Sequence, residues 1–248
     1  MFRRLLPARL GTLGPLVEAV ADVEEARAYL ARRRPDLILL DVVLPGMDGF
    51  TYCRELKADP ATAGIPVVML TDLTTDPGDR SLAAGADDYM PKRIDDAVMR
   101  IRVNLHLHLA SRRAGRTEGP AGPVPILVAS ANQRLQAQIT NHFSRDGHAV
   151  RGVETLEQLT ADLRPEDRVL VLDLGLGLDP VHAFLLGLRM DPATADLPVL
   201  LIGSREELLD LKTIEEMVDD VLWTPLKAKV FGQRLRYMLE LGRGGAKG

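Results

Sequence analysis

Apolar positions along the chain follow two patterns, and the two alternate from one segment to the next. Residues 37–40 and 67–70 are uninterrupted apolar runs, which are typical of strands covered on both faces in a parallel sheet. In the neighbouring segments, apolar residues recur at helical spacing. Pro35 marks the end of one predicted helix, and Gly49 marks the start of the next. This alternation predicts an α/β fold built on parallel sheets.

The same patterns predict four strands and five helices in the first half of the chain. The predicted strands cover residues 16–20, 37–41, 66–70 and 88–90, and the predicted helices cover residues 3–13, 23–34, 49–57, 79–84 and 94–109. In the second half, strands are predicted at residues 126–129, 169–173, 199–202 and 221–223, with a last helix at residues 228–241.

An internal repeat relates the two halves. One constant shift places Asp41 on Asp173, and it places residues 59–63 on the identical pentapeptide Asp-Pro-Ala-Thr-Ala at residues 191–195. A single register that holds over half a domain indicates a duplicated domain. The predicted organisation is a first domain over residues 1–110, an Arg-, Gly- and Pro-rich linker over 111–124, a second domain over 125–242 and a tail over 243–248.

The first half carries a specific motif where its central predicted strand ends. Asp41, Pro45, Asp48 and Gly49 have the spacing D-x-x-x-P-x-x-D-G. Open α/β sheets place their ligands and chemistry at the carboxyl ends of strands, and Asp41 has that position. The motif resembles the phosphoacceptor loop of receiver domains in two-component response regulators.

Two further positions support this resemblance. Thr71 ends the next apolar strand, and Lys92 follows Gly-Ala-Asp-Asp-Tyr-Met-Pro, which is similar to the family's G-A-D-D-Y signature. The resemblance implies a flavodoxin-like fold with strand order 2-1-3-4-5 in each half. It also implies Asp41 as phosphoacceptor, Lys92 as cationic partner of the phosphoryl group, Thr71 as hydroxyl donor and Tyr89 as aromatic switch. The alternatives are that Thr71 caps the next segment, Lys92 is solvated and Tyr89 only packs.

One part of the family pattern has no counterpart in the first half. The first strand of the second half covers residues 126–129, and its equivalent in the repeat would lie upstream of Met1. We expect a marginally stable first domain that lacks this strand and the acidic pair closing it in the family. Magnesium binds through a few carboxylates, so with Asp41 as the main ligand left, Mg²⁺ binding should be weak. If Met1 is an internal methionine or a fragment boundary, in-frame codons just upstream are expected to encode four or five aliphatic residues that end in two acidic ones.

The second half keeps the strands but has lost the chemistry that the resemblance implies. Ser130 and Ala131 stand where the family carries its acidic pair. Gly203 replaces the hydroxyl residue, although Ser204 is adjacent, and Thr224 replaces the lysine. We expect Asp173 to be a strand-end carboxylate that is not phosphorylated. The second half is therefore predicted to be a degenerate pseudo-receiver.

Composition excludes several classes of function without pointing to one. The chain has 248 residues, of which 46% are hydrophobic and 27% charged, as is typical of globular proteins. A net charge of −4 does not indicate nucleic-acid binding. Cys53 is the single cysteine, and no apolar run reaches the roughly 18 residues of a membrane span. We expect a cytoplasmic protein that binds neither membrane nor nucleic acid.

The predicted function is signalling in a two-component phosphorelay. Asp41 would accept a phosphoryl group from a sensor histidine kinase or a phosphotransfer protein, and the second half would act as an adaptor or dimerisation module. A homodimer through receiver faces is a further expectation. The tandem arrangement resembles the amino-terminal half of PleD-type diguanylate cyclases, but residues 1–248 contain no GGDEF domain, so no enzymatic output is predicted. The alternative is a regulatory fragment of such a cyclase.

Overall fold

The chain divides into two compact α/β units, covering residues 1–115 and 116–248. The computed structural model describes residues 2–10, 16–72, 77–114, 123–145, 147–209, 211–226 and 228–242. Within these residues, no helix is long and apolar enough to cross a membrane.

The first unit contains a three-stranded parallel sheet. Its strands are β1 (Ile38–Asp41), β2 (Val67–Thr71) and β3 (Asp88–Pro91), in the order β1-β2-β3. Its helices are α1 (Phe2–Leu10), α2 (Val23–Leu30), α3 (Gly49–Ala58), α4 (Pro77–Ala83) and α5 (Asp96–Ala114). Because the strands are parallel, the carboxyl ends of all three lie on the same side of the sheet, which we call its carboxyl edge.

Helices cover both faces of this sheet. Successive side chains of a strand point to opposite faces, and β2 shows this with Val67 and Val68, both fully buried. Val67 packs in a cluster with Phe50 of α3, whereas Val68 packs in another with Leu6 of α1 and Met99 of α5. Burial on both faces explains why these strands are continuous apolar runs.

Residues 16–20 do not form the strand that was predicted there. They have no regular secondary structure, and Leu16 is 82% exposed. A strand is stable only if a neighbour completes its backbone hydrogen bonds. In the order 2-1-3-4-5, the second strand pairs only with the first, and the described residues of this unit provide no such strand. The prediction was wrong because the apolar pattern of residues 16–20 does not show whether a neighbouring strand is present to pair with them.

Several helix boundaries differ from the predicted ones. Helix α2 ends at Leu30, before the predicted end at Arg34, and helix α5 continues to Ala114, into the predicted linker at residues 111–124. Helix α1 ends at Leu10, and the end of the helix predicted at 3–13 lies outside the described residues. The tail predicted at residues 243–248 also lies outside them.

The second unit contains a five-stranded parallel sheet. Its strands are β4 (Pro125–Ala129), β5 (Ala149–Val153), β6 (Val169–Asp173), β7 (Val199–Gly203) and β8 (Asp220–Trp223), and its helices are α6 (Gln133–Arg145), α7 (Leu156–Asp162), α8 (Leu178–Met190) and α9 (Ala228–Gly242). Short 3₁₀ turns occur at Leu174–Leu176, Glu207–Leu209 and Glu215–Met217. The strand order is β5-β4-β6-β7-β8, which is the predicted 2-1-3-4-5.

The sequence repeat extends to matching side-chain contacts. The Lys57 ammonium donates to the Ile65 carbonyl at 2.7 Å and to an Asp87 carboxylate oxygen at 2.7 Å. Arg189, the residue equivalent to Lys57 in the repeat, donates to the Leu197 carbonyl at 2.7 Å. In each unit one cation thus holds the turn that leads from a helix into the next strand.

Candidate functional site

Three of the predicted site residues lie at the carboxyl edge of the first sheet. Asp41 is the last residue of β1, Thr71 is the last residue of β2, and Lys92 directly follows β3. The parallel register places Asp41 beside Leu70 and Thr71 beside Pro91. The strand order therefore gathers residues that are far apart in the sequence.

Lys92 joins two carboxylates at this edge. Its Nζ lies 2.8 Å from Asp41 Oδ2 and 2.9 Å from Asp72 Oδ2. Burial lowers the pKa of Lys92, but its hydrogen bonds to both carboxylates outweigh that effect, so the pKa is raised. The other Asp41 oxygen accepts a hydrogen bond from the Val43 N–H at 2.9 Å. Lys92 is therefore not simply solvated, which was the alternative from the sequence.

The sequence analysis missed Asp72. Its side chain is 64% exposed and reaches the site only through Lys92. The sequence does contain one signal for Asp72, namely its position directly after Thr71, at the carboxyl end of a second strand.

The loop after Asp41 is shaped by its glycines. Gly46 has a φ of +76°, a conformation that glycine adopts without strain. A Cβ on Gly49 would lie 2.2 Å from the Asp41 carbonyl oxygen, so only glycine fits there. Asp48 caps helix α3, accepting a hydrogen bond from the Thr51 N–H at 3.2 Å. Pro45 is exposed at the tip of the loop.

Thr71 and Tyr89 lie on the interior side of the site. Thr71 is 1% exposed, and its carbonyl accepts a hydrogen bond from the Lys92 N–H at 2.9 Å. Tyr89 is half-buried against the cluster that contains Met69. Its carbonyl accepts a hydrogen bond from Arg102 at 3.3 Å. This packing agrees with the simpler alternative for Tyr89, and its role as a switch stays a prediction.

A buried charged group supports β3 next to the site. Asp88 is fully buried, with the His106 ring nitrogen at 3.1 Å and the Arg102 guanidinium at 3.8 Å. Asp220 and Arg234 form the equivalent pair in the second unit at 3.5 Å. The register of the repeat places Asp88 on Asp220 and Arg102 on Arg234, so both partners of this pair are repeated.

The described residues do not complete a magnesium site. They contain no group of three or more His, Cys, Asp or Glu side chains that could hold a metal ion. Asp41 is occupied by Lys92 and the Val43 N–H, and Asp48 by its helix cap. The donor set therefore does not fit Mg²⁺ without further ligands. Weak binding of Mg²⁺ at Asp41 stays a prediction.

The carboxylate of Asp173 has different surroundings in the second unit. The residue is 8% exposed, and its Oδ2 accepts a hydrogen bond from the Ser130 hydroxyl at 2.5 Å. Its Oδ1 accepts another from the Gly175 N–H at 3.0 Å. Both oxygens of Asp173 thus accept hydrogen bonds from neutral groups in the loops around the strand end. Asp41, by contrast, contacts the ammonium group of Lys92.

The other residues of the degenerate site also bond locally. The Ser204 hydroxyl accepts a hydrogen bond from the Glu207 N–H at 3.2 Å, and Thr224 donates to the Gly203 carbonyl at 3.5 Å. A Cβ on Gly203 would lie 3.2 Å from side-chain atoms of Leu174, which leaves little room for a hydroxyl residue.

Comparison with known families agrees with this geometry. The family model of the response regulator receiver domain matches residues 1–104. The first unit belongs to the response regulator receiver family. Its match covers the strands that end in Asp41 and Thr71 and the segment that carries Lys92.

Individual relatives extend the comparison beyond the first unit. Response regulator PleD of Caulobacter vibrioides is 32% identical over 260 residues, covering 97% of this chain and 57% of PleD. The DNA-binding dual master transcriptional regulator RpaA of Synechocystis sp. is 38% identical over 109 residues, covering 44% of this chain and 45% of RpaA. A solved structure is also similar: the receiver domain of sensor histidine kinase PA1611 from Pseudomonas aeruginosa, with a magnesium ion coordinated in its active site cleft. The two sequences are 32% identical, and the match covers 42% of this chain and 87% of the PA1611 chain, with a TM-score of 0.38. The chain thus spans about half the length of these curated relatives.

Proposed function

We propose that the protein is a response regulator that accepts a phosphoryl group on Asp41. The observation that carries this proposal is the pair formed by Asp41 and Lys92, 2.8 Å apart at the carboxyl edge of a receiver-family sheet. The Asp41 side chain is 32% exposed, so a phosphodonor can reach it. Phosphoryl transfer depends on positioning and charge stabilisation, which this pair supplies.

The proposed step is attack by an Asp41 carboxylate oxygen on the phosphorus of the donor. The new bond makes an acyl phosphate, and the bond from phosphorus to the donor's nitrogen or oxygen breaks, leaving its electron pair on the donor. Lys92 stays protonated, because its pKa is raised, and offsets charge on the phosphoryl oxygens. The acyl phosphate carries about −1.5 to −2 charge units beside Thr71, in place of the single charge of the carboxylate, and it brings three acceptor oxygens that can reorganise neighbouring loops.

The proposed donor is a sensor histidine kinase or a phosphotransfer protein in the cytoplasm. The second unit would serve as an adaptor or dimerisation module, and a homodimer through receiver faces belongs to the same proposal. Support for an inert second unit comes from Asp173, which is 8% exposed and accepts its hydrogen bonds from the neutral Ser130 hydroxyl and Gly175 N–H, with Thr224 at the position equivalent to Lys92.

A second candidate is the regulatory part of a PleD-like diguanylate cyclase. The similarity to PleD supports it, since it covers 97% of this chain but 57% of PleD. Sequence that encodes a GGDEF domain in frame after Gly248 would favour this candidate, and a stop codon there would favour the response regulator alone.

Intact-mass spectrometry after incubation with acetyl phosphate tests the proposed acceptor. The native chain should gain one phosphoryl group, the Asp41→Asn variant none, and the Asp173→Asn variant as much as the native chain. The two substitutions are matched, because each removes one strand-end carboxylate from a copy of the same fold. Undiminished phosphorylation of the Asp41→Asn protein would refute the assignment.

A further inference from the structure

Helix α8 carries an apolar stripe on its outer face. Leu186, Gly187 and Met190 follow Ala183 by three, four and seven positions, so all four residues lie on one side of the helix. All four are exposed, Leu186 by 46% and Met190 by 74%. A surface helix normally buries one apolar side and turns polar side chains to water. Helix α8 has a second apolar side, and we call these four residues the α8 stripe.

The equivalent face of the first unit is polar. The register of the repeat places the α8 stripe on Thr51, Arg54, Glu55 and Ala58 of helix α3. Arg54 donates to the Thr51 hydroxyl at 2.8 Å, and Glu55 accepts a hydrogen bond from the Arg27 guanidinium at 2.6 Å. The fold therefore does not require an apolar outer face at this position. A contiguous exposed apolar patch that the fold does not need is typical of an interaction surface.

Gly187 gives the α8 stripe room for a close neighbour. The residue lies inside the helix, and a Cβ built on it would meet no atom within 4 Å. The second unit itself therefore does not need a glycine there, although glycine is less stable than alanine in a helix interior. The missing side chain does allow another backbone to approach closely.

The α8 stripe is complementary to itself. Along the helix its residues are small, large, small and large. Consider two antiparallel α8 helices related by a two-fold axis that passes beside Leu186 and Gly187. Met190 of each copy then lies over Ala183 of the other, and Leu186 of each copy fills space that the two glycines leave. A two-fold contact requires this kind of self-complementary surface.

We propose that the α8 stripe forms a contact between two copies of this chain, through antiparallel α8 helices about a two-fold axis. The proposal rests on the proposed role of the second unit as a dimerisation module, and it does not depend on phosphorylation of Asp41. None of the four stripe residues is charged, so the contact buries no unpaired charge from the stripe. A helix of another protein could also cover an apolar face, but it would not require the face to match itself.

The expected dimer is weak. A stable complex buries roughly 800 Å² on each partner, and the crossing of one helix pair buries less than that. Association should therefore depend on protein concentration. Sedimentation equilibrium of the full chain, at concentrations up to about 1 mM, covers the range in which such a dimer forms.

The double variant Leu186→Arg with Gly187→Glu tests the contact. It gives helix α8 the residues that helix α3 has at the equivalent positions, Arg54 and Glu55, and it leaves the net charge unchanged. Arginine and glutamate are good helix formers at these exposed positions, so the unit should stay folded. The dimer dissociation constant should rise by about tenfold or more, because each copy would place two charges in an apolar contact.

The matched control is the double variant Ala137→Arg with Gln138→Glu. It introduces the same two charged side chains at exposed positions of helix α6, in the same unit. The dissociation constant should change by less than about twofold, as for a surface change outside the interface.

Gly187→Ala separates a contact from a purely structural role. Alanine should raise the urea midpoint of the second unit, followed by Trp223 fluorescence, because it stabilises the helix interior. The same methyl group should weaken the dimer by about fivefold, because it keeps the two helices apart. A glycine without a role in association would show only the first effect.

Disulfide exchange tests the antiparallel orientation. Ala183→Cys and Met190→Cys proteins are mixed in equal amounts and oxidised, and mass spectrometry counts the linked pairs. Random pairing would make half of the linked dimers mixed. The antiparallel contact predicts a clear excess of mixed dimers. Cys53 is buried and does not compete.

Three results would overturn the proposal. A chain that stays monomeric up to about 1 mM would refute both the α8 contact and the proposed homodimer. A dimer that Leu186→Arg with Gly187→Glu does not weaken would keep the homodimer but place it on another face. An excess of same-variant disulfides would contradict the antiparallel pair. Phosphorylation of the same double variant by acetyl phosphate should equal that of the native chain, so failure of the Asp41 assignment would be seen separately.

Discussion

Asp41 and Asp173 end equivalent strands, yet their carboxylates meet different groups. Lys92 approaches Asp41 to 2.8 Å, whereas Ser130 and Gly175 hold the two oxygens of Asp173. The partner of Asp41 is a cation that can also offset the charge of an incoming phosphoryl group, whereas the partners of Asp173 are neutral. If Asp41 is phosphorylated and Asp173 is not, as proposed, the difference lies in a few side chains around the two carboxylates and not in the fold.

Lys92 should contribute stability that depends on pH. Replacing it by Met should destabilise the first unit by about 1–3 kcal/mol near neutral pH, through the lost hydrogen bonds to Asp41 and Asp72. The folded-state pKa of Lys92 is raised above 10.5. The contribution is therefore complete below that value and is lost as the pH rises through the folded-state pKa. The difference between the urea midpoints of the two proteins should be largest at about pH 8 and smaller at about pH 11.5.

The control for this experiment is Lys212→Met, which removes an exposed lysine from the second unit. Its effect on the midpoint should be small and the same at both pH values. A native-to-variant difference for Lys92→Met that does not change with pH would contradict the account.

Helix α3 and strand β1 meet where the acceptor loop closes. The Gly49 N–H donates to the Val42 carbonyl at 2.9 Å, and the helix begins there without room for a side chain. Sequence patterns predicted both elements, because an apolar run and a cap such as Asp48 are local signals. Residues 16–20 were predicted wrongly for the opposite reason: a strand depends on a neighbour that local pattern does not reveal. Asp72 was missed since its contact with Lys92 joins residues far apart in the sequence.

A pair of glycine substitutions tests the contact between these elements. Gly49→Ala should destabilise the protein by at least about 2 kcal/mol, because the new Cβ would overlap the Asp41 carbonyl oxygen at 2.2 Å. Gly187→Ala, in the interior of helix α8 with no atom within 4 Å of the new Cβ, should stabilise by about 0.5–1 kcal/mol. Urea denaturation measures both. Native-like stability of Gly49→Ala would show that the close approach is wrong.

The whole molecule contains one fold twice, and the two copies differ in their described strands. The second unit has five strands, and the described residues of the first have three, with an open edge at β1. A central strand contributes several hydrogen bonds and buried aliphatic side chains, a sum comparable to the ~5–15 kcal/mol stability of a whole domain. The repeat was readable from the sequence at residues 59–63 and 191–195. The contacts that make it a structural repeat, such as Lys57 with Asp87, were not, because they join distant residues.

The two units should therefore unfold at different urea concentrations. Each contains a unique probe: Cys53 is the single cysteine and lies in the first unit, and Trp223 is the single tryptophan and lies in the second. Cys53 is buried, and burial raises its pKa to about 11, so its thiol reacts only when the unit opens. Thiol labelling should begin at a lower urea concentration than the change in Trp223 fluorescence. Coincident midpoints would contradict unequal stability.

The most direct test of the central claim is to locate the phosphoryl group on the native chain. Borohydride reduces an aspartyl phosphate to homoserine, and peptide mapping by mass spectrometry then identifies the converted position. The account predicts homoserine at position 41 and unmodified aspartate at position 173. Homoserine at position 173, or at any aspartate position other than 41, would contradict it.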